Sequence, residues 1–379
     1  MTFILRLAKV GLRFLYLFLR PLPLKNKVVF FSRQSSTIPL DFTLLAQEIQ
    51  TQSPETEIRY FCRKMRRKTN VFSYCLFILH SLYHLATASI AVTDTYSIQL
   101  CVLRPKRGQT VVQVWHAVGA VKQFSYQCLD KPGGQPAALA RAMEMHKNYD
   151  YVFCTSEATA DIYAQGFRMP REQILPLGMP RVDYLREADP ALRERYLEAR
   201  PELAGKKICL YLATFRDGAE VGMERLLPAF SSVEDVALLI KPHPMSKITL
   251  PEDVSVGKGW STYEMMKVAD CVVTDYSAAS LEESLLDKPV YLYLYDYDAY
   301  TEAQGLNIDL WEAFPHAAFR TAEEVAQAVQ AEDYDWAALR AYRETYIETA
   351  QKDNTGDITR FLLQRIPQHL RKQREPAEV

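Results

Sequence analysis

T-Y-E-M-M-K-V-A-D-C-V-V-T-D-Y-S-A-A-S-L-E-E-S-L-L-D-K-P-V-Y-L-Y-L-Y, residues 262–295, decides the fold. Its first eight residues read as a helix, and C-V-V-T-D (271–275) is a short β-branched run. The chain then passes from strand into helix at Asp275–Ser277, and P-V-Y-L-Y-L-Y (289–295) is the next strand. Short apolar strands alternating with helices mark parallel sheets wound by βα units. The rhythm extends upstream through K-I-C-L-Y-L-A (207–213) and V-A-L-L-I-K (236–241). An earlier set comprises K-V-V-F-F-S (27–32), I-R-Y-F-C (58–62), A-S-I-A-V-T-D (88–94), V-V-Q-V-W-H (111–116), Y-V-F-C-T-S (151–156) and I-L-P-L-G (174–178). A charged, Ala-rich stretch at 186–205 joins the two sets. Two such α/β halves predict a cleft between them, with ligands at the carboxyl ends of the strands.

The chain has 379 residues, enough for two domains of roughly 150–200 residues each. A net charge of −1 gives no overall field for nucleic acid, so no nucleic-acid partner is expected. The seven cysteines are odd in number, scattered, and form no C-x-x-C pair, which predicts buried, reduced thiols in a cytosolic compartment. There are no internal repeats, and neither G-x-G-x-x-G nor a P-loop occurs, which argues against a dinucleotide enzyme or a P-loop NTPase.

The N-terminus, F-I-L-R-L-A-K-V-G-L-R-F-L-Y-L-F-L-R (3–20), carries Arg6, Lys9, Arg13 and Arg20 on a helical arc of roughly 60°. Phe3, Leu7, Phe14 and Phe18 lie on the other side. Charges spread through the run fit neither a signal peptide nor a spanning helix. They fit a helix lying in the interface of an anionic membrane. Pro21 and Pro23 end it. Residues 71–90 are apolar but hold His80 and His84, and read as a buried helix running into a strand. The basic cluster Arg63, Lys64, Arg66, Arg67 and Lys68 beside it is either a second membrane-facing patch or a solvated turn.

The residues that carry chemistry sit where strands end. Q-V-W-H-A-V-G-A-V-K places His116 just past a buried strand, with Gly119 and Lys122 following. A histidine there can act as a general base, although a lone one more often serves structure. A-T-F-R-D brings Thr214 and Arg216, and I-K-P-H-P brings Lys241 and His243. V-T-D-Y-S places Thr274, Asp275 and Ser277 at the start of a helix, a position suited to a diphosphate. Lysine, arginine and histidine at neighbouring strand ends would stabilise a leaving nucleotide.

In order, these motifs resemble the CDP-glycerol glycerophosphotransferase family of teichoic acid primases and polymerases. The resemblance covers W-H-A-x-G-A-x-K (115–122), T-S-E (155–157), G-x-P-R-x-D (178–183), T-x-R (214–216), K-x-H-P (241–244), T-D-Y-S (274–277) and K-P-V-Y (288–291). It implies an α/β, GT-B-like fold of two Rossmann-like domains, with the donor in the second and the acceptor facing the first. It also implies monotopic attachment to the cytoplasmic face of the membrane. His116 matches the histidine that deprotonates the acceptor, and His243 the one that contacts the donor diphosphate. Arg216, Lys241 and Ser277 match donor-binding positions, and Arg181 and Asp183 fall in a motif near the domain crossover, where a structural role is equally open. Ala213, Ala278 and Glu282 depart from the pattern near the donor's phosphate and polyol.

The implied reaction moves a polyol phosphate, glycerol phosphate foremost, from a CDP-polyol to a lipid-linked cell-envelope glycan, with no cofactor and no metal. D-Y-D at 296–298 reads as a loop or cap. The alternatives are a GT-B sugar transferase and a catalytically silent membrane-bound assembly protein. The expected segments are a membrane-binding helix (1–24), an acceptor domain (25–185), a CDP-donor domain (186–350) and a helical tail (351–379). Homo-oligomerisation stays open.

Overall fold

The structure, a computed structural model, describes residues 2–64, 71–214, 220–242, 250–347 and 353–371. The chain forms two compact units. The first holds residues 1–117, 125–183 and 349–379, and the second 118–124 and 184–348.

The first unit carries a six-stranded, all-parallel sheet. Its strands are β1 (Lys25–Ser32), β2 (Glu57–Cys62), β3 (Ala88–Thr93), β4 (Thr110–Gln113), β5 (Tyr151–Phe153) and β6 (Ile174–Leu175), in the order β2-β1-β3-β4-β5-β6. β3 is buried along its whole length, as expected of a central parallel strand covered on both faces. The sheet packs against α2 (Leu40–Gln52) and the C-terminal helix Asn354–Arg365. Ile358 and Leu362 recur at helical spacing and join Phe30, Phe42, Ile90 and Val112 in one core. The segment expected as a separate tail therefore completes the first unit.

The second unit carries β7 (Lys207–Leu212), β8 (Val236–Ile240), β9 (Cys271–Thr274), β10 (Val290–Tyr293) and β11 (Ala318–Phe319), all parallel, in the order β11-β10-β9-β7-β8. The helices Thr262–Val268 and Ala279–Ser284 flank β9. The alternation read from 262–295 is thus the observed one. The buried, hydrophobic β strands stop earlier than their apolar runs, and β4 shows why. Trp115 takes a left-handed backbone (φ 58), and Gln113 Oε1 accepts its N–H at 2.8 Å, so the chain turns before His116.

Two helices of the first unit show unexpected faces: α3 (Val71–Thr87), which lies against the sheet, and α1 (Thr2–Leu19), which packs on other helices. In α1, Tyr16 is buried, whereas Leu7, Val10, Phe14, Leu17 and Phe18 are exposed. Lys9 turns inward to Glu144 at 2.8 Å, and Arg13 also reaches Glu144. The basic arc thus partly binds the protein, and the apolar side faces out. In α3, Ile78, Leu82, Leu85 and Ala86 are buried, but Phe72, Leu76, Leu79 and Tyr83 recur along an exposed face. The expectation of a buried helix holds only for its inner face. α1 and α3 pack together. No described helix is long and apolar enough to cross a membrane. None of the seven cysteines, all among the described residues, forms a disulfide; Cys75 is exposed and five are buried. Of the basic cluster, Arg63 donates to the carbonyl and hydroxyl of Ser73 and braces the start of α3, while Arg66, Arg67 and Lys68 lie outside the described residues.

Candidate active site

In the first unit, the carboxyl ends of β1, β3 and β4 present Ser32, Asp94 and His116. Asp94 is buried, and its carboxylate accepts Ser32 Oγ at 2.7 Å and Thr95 Oγ1 at 3.0 Å. Burial pushes its pKa up to about 6 against the pull of those hydrogen bonds; the charge of Asp41 adds to the rise and Arg181 opposes it. His116 Nδ1 lies 2.9 Å from the main-chain oxygen of Asp94. A carbonyl only accepts, so Nδ1 carries the proton and the neutral ring keeps its lone pair on Nε2. The ring packs against Trp115 with centroids 4.1 Å apart, which limits its rotation. This is the arrangement a general base requires: a fixed ring, one assigned tautomer and one basic nitrogen.

Arg181 supports the turn from below. Its Nη1 donates to the His116 carbonyl at 3.1 Å, and its backbone N–H and Nε bind Asp41 at 3.0 Å, with Nη2 completing the ion pair. Arg181 is therefore a positioning residue. Asp183 caps the C-terminal helix, accepting the N–H of Asn354 at 3.2 Å and that of Thr355 at 2.7 Å together with the Thr355 hydroxyl. Gly178, in the same motif, has φ +86, and a Cβ there would fall 1.8 Å from Asn354 Oδ1. The G-x-P-R-x-D motif is thus architectural. In T-S-E, Ser156 caps its helix through the Thr159 N–H at 3.1 Å.

The second unit gathers Thr214, Lys241, Thr274, Asp275, Ser277 and Glu282 around the ends of β7, β8 and β9. Several are engaged in the fold itself. Thr274 is fully buried and donates to the Leu212 carbonyl at 2.6 Å. The Asp275 carboxylate accepts the Thr214 N–H at 2.9 Å. Lys241 Nζ donates to the Trp260 carbonyl at 2.5 Å, and burial lowers its pKa. Ser277 Oγ accepts the Ala279 N–H at 3.2 Å, at the start of a helix of only six residues. So short a helix offers little of the macrodipole expected there. Glu282 is buried in that helix. In K-P-V-Y, Lys288 donates to the carbonyls of Met266, Lys267 and Ala269 at the end of the preceding helix, at 3.0, 2.6 and 2.5 Å. Gly119 is buried in the loop after β4, and the backbone of Lys122 bridges to Leu306 and accepts Asn307 Nδ2 at 2.9 Å.

Arg216 and His243 lie outside the described residues. Asp41 and Asp94 were missed in the sequence. Asp94 was legible in principle, as an acid ending a wholly buried strand. Asp41 was not, because its partner is 140 residues away. Asp296, in D-Y-D, accepts Tyr276 Oη at 3.0 Å and Asp298 pairs with Arg320. Among the described residues, no three His, Cys, Asp or Glu side chains gather as a metal site.

The chain is 30% identical over 95% of its length to the teichoic acid ribitol-phosphate primase of Bacillus spizizenii, covering 97% of that protein. It is 24% identical to the teichoic acid glycerol-phosphate primase of Bacillus subtilis, over 75% of this chain and 76% of that one. Its fold matches the wall teichoic acid polymerase TagF with a TM-score of 0.73 at 18% identity, covering 98% of this chain and 99% of the other, which makes it GT-B-like. Residues 14–364 match the model of a single family, and the chain belongs to it: CDP-glycerol:poly(glycerophosphate) glycerophosphotransferase, the family of the teichoic acid primases and polymerases.

Proposed function

We propose that this chain transfers a polyol phosphate from a CDP-polyol to a hydroxyl of a lipid-linked cell-envelope glycan, at the cytoplasmic face of the membrane. The observation that carries the reading is His116, whose Nδ1 is committed to the Asp94 carbonyl while Nε2 stays basic. Nε2 takes the proton of the acceptor hydroxyl as its oxygen bonds to the donor's β-phosphorus. The bond from that phosphorus to the bridging oxygen breaks, and CMP leaves with the electron pair. Lys241, Ser277 and, from the family resemblance, Arg216 and His243 hold the diphosphate and balance the charge on CMP.

Similarity along nearly the whole of a ribitol-phosphate primase favours CDP-ribitol as donor and a primase role. CDP-glycerol, the donor first expected, is the second reading, supported by the glycerol-phosphate primase. Membrane association is supported by the outward apolar faces of α1 and α3, which together suit insertion to the depth of the headgroups.

The test is mass spectrometry of products formed from CDP-ribitol, CDP-glycerol and a lipid-linked disaccharide, with CMP release measured alongside. His116→Ala should lower turnover by about 10²–10⁴-fold with the fold intact. Wild-type CMP release by the folded mutant in the presence of acceptor refutes the role of His116. Release of UDP from a nucleotide sugar would instead favour a sugar transferase, and failure to bind any cytidine nucleotide would favour an assembly protein.

A further inference from the structure

A cavity of about 580 Å³ opens within the first unit, a size typical of small-molecule sites. Its floor is aromatic. Tyr149 and Phe167 are buried there, and the His146 ring stands 5.8 Å from the first and 4.9 Å from the second. His146 Nδ1 is 3.2 Å from Tyr149 Oη, and burial lowers its pKa to about 3, so the ring is neutral. The rim is cationic. Arg141, Lys147 and Arg168 are exposed, and Arg168 lies 4.5 Å over the Tyr126 ring. Among the described residues, none of these three cations forms a salt bridge.

The carboxylate in the lining, Glu144, is already matched. Burial pushes its pKa up, but Lys9 at 2.8 Å and Arg13 at 2.7 Å, with a smaller contribution from the charge of Lys147, outweigh this and hold it below the usual value. The wall is also unusual in its backbone. Glu144, His146 and Asn148 all adopt left-handed conformations, with φ of 50, 56 and 67. Such conformations cost about 1–3 kcal/mol each in bulky residues and persist where surrounding contacts impose them. Asn148 is so fixed, by the carbonyls of Cys101 at 2.7 Å and Leu103 at 3.0 Å.

Two contacts give the cavity its context. Glu144 ties the wall to α1, whose outer face is apolar. Trp115 stands with its ring centroid 4.1 Å from His116 and 6.1 Å from His146, so a single ring separates the cavity floor from the candidate base.

We infer that this cavity receives the phosphate-bearing head of the lipid-linked acceptor: the rim cations take the phosphate linker, the aromatic floor takes a sugar face, and the lipid leaves along α1. Arginine pairs well with phosphate oxygens, and a neutral aromatic floor suits an uncharged sugar. The inference rests on the transfer reaction proposed above.

The test is the full-length triple variant Arg141→Gln/Lys147→Gln/Arg168→Gln. In the transfer assay its KM for lipid-linked disaccharide should rise about tenfold or more, the loss expected for charge-assisted hydrogen bonds, while kcat and the KM for the CDP-polyol stay unchanged. Inorganic pyrophosphate should compete with the acceptor in the wild type and lose this effect in the variant. An unchanged acceptor KM overturns the inference. A binding arm compares phosphatidylcholine vesicles carrying a polyprenyl diphosphate-linked disaccharide with matched vesicles carrying phosphatidylglycerol. Preference of the wild type for the first, lost in the variant, supports the cavity even if no CDP-polyol is turned over and the transfer reading falls. Equal loss on both vesicle types means that the rim binds anionic lipid in general, and overturns it.

Discussion

Asp41→Asn should destabilise the first unit strongly without touching His116. Asp41 is 2% exposed and Arg181 8% exposed, and the carboxylate takes the backbone N–H, Nε and Nη2 of Arg181. The amide preserves shape but removes the countercharge and points N–H donors at a guanidinium. Stranding one partner of a buried pair costs about 3–5 kcal/mol. In a unit of this size, 1 kcal/mol moves Tm by about 2–4 °C, so the transition of the first unit should fall by roughly 6–20 °C. Replacing both partners, as Asp41→Leu/Arg181→Met, strands neither charge of the pair and should recover much of that loss. Scanning calorimetry of the full chain reads Asp41→Asn beside the cycle of wild type, Asp41→Leu, Arg181→Met and the double variant. Because Arg181 also donates to the His116 carbonyl, Arg181→Met should lower kcat and leave the KM for the CDP-polyol unchanged. An Asp41→Asn protein melting within about 2 °C of wild type would refute the reasoning, since a buried pair cannot be broken so cheaply. A double mutant as unstable as the sum of the singles would refute it equally, because the two residues would then be uncoupled.

Asp94 gives a pH-dependent test. Its folded pKa of about 6 lies above the unfolded value of about 3.9, so its contribution is complete below about pH 4 and is lost as pH rises through 6. Asp94→Asn should therefore match wild type near pH 4 and gain up to about 3 kcal/mol on it by pH 8, read as Tm against pH; a constant offset would contradict this. Asp183→Ala and Gly178→Ala should each loosen the C-terminal helix, by about 1–3 kcal/mol, and expose it to limited proteolysis. Both act on Asn354, so their effects should add to less than the sum; full additivity would mean that they work through separate contacts.

The strands were legible because their β-branched runs are short and separated by helices, and the order of the motifs placed the site at their carboxyl ends. What escaped was the outcome of tertiary choices. The turn at Trp115 depends on a left-handed backbone that nothing in V-V-Q-V-W-H requires. The amphipathic pattern of α1 was plain, but which side meets the protein was settled by Glu144, more than 130 residues away, drawing Lys9 inward. α3 looked buried because it is largely apolar; its outer face has no protein element on it among the described residues that would bury Phe72 or Leu76.

The same blindness hid a repeat. β3 runs out through V-T-D (92–94) and β9 through V-T-D (273–275), each aspartate one residue past its strand. In the first unit the Thr93 hydroxyl binds the carbonyl of Phe31 on the neighbouring β1 at 3.0 Å, and Asp94 binds the Ser32 hydroxyl one residue on. In the second unit the Thr274 hydroxyl binds the carbonyl of Leu212 on the neighbouring β7 at 2.6 Å, and Asp275 binds the Thr214 N–H two residues on. The two units thus clamp adjacent strand ends with one device, which reaches polar groups that would otherwise be left unpaired where the ladder stops. A residue pair that does the same task in both sheets is explained by that task. Thr274 and Asp275, read from sequence as donor contacts, thus also shape the strand ends, and each unit adds further groups beyond the shared clamp. In the first unit the addition is His116, which hangs from the main-chain oxygen of the very aspartate that closes the clamp.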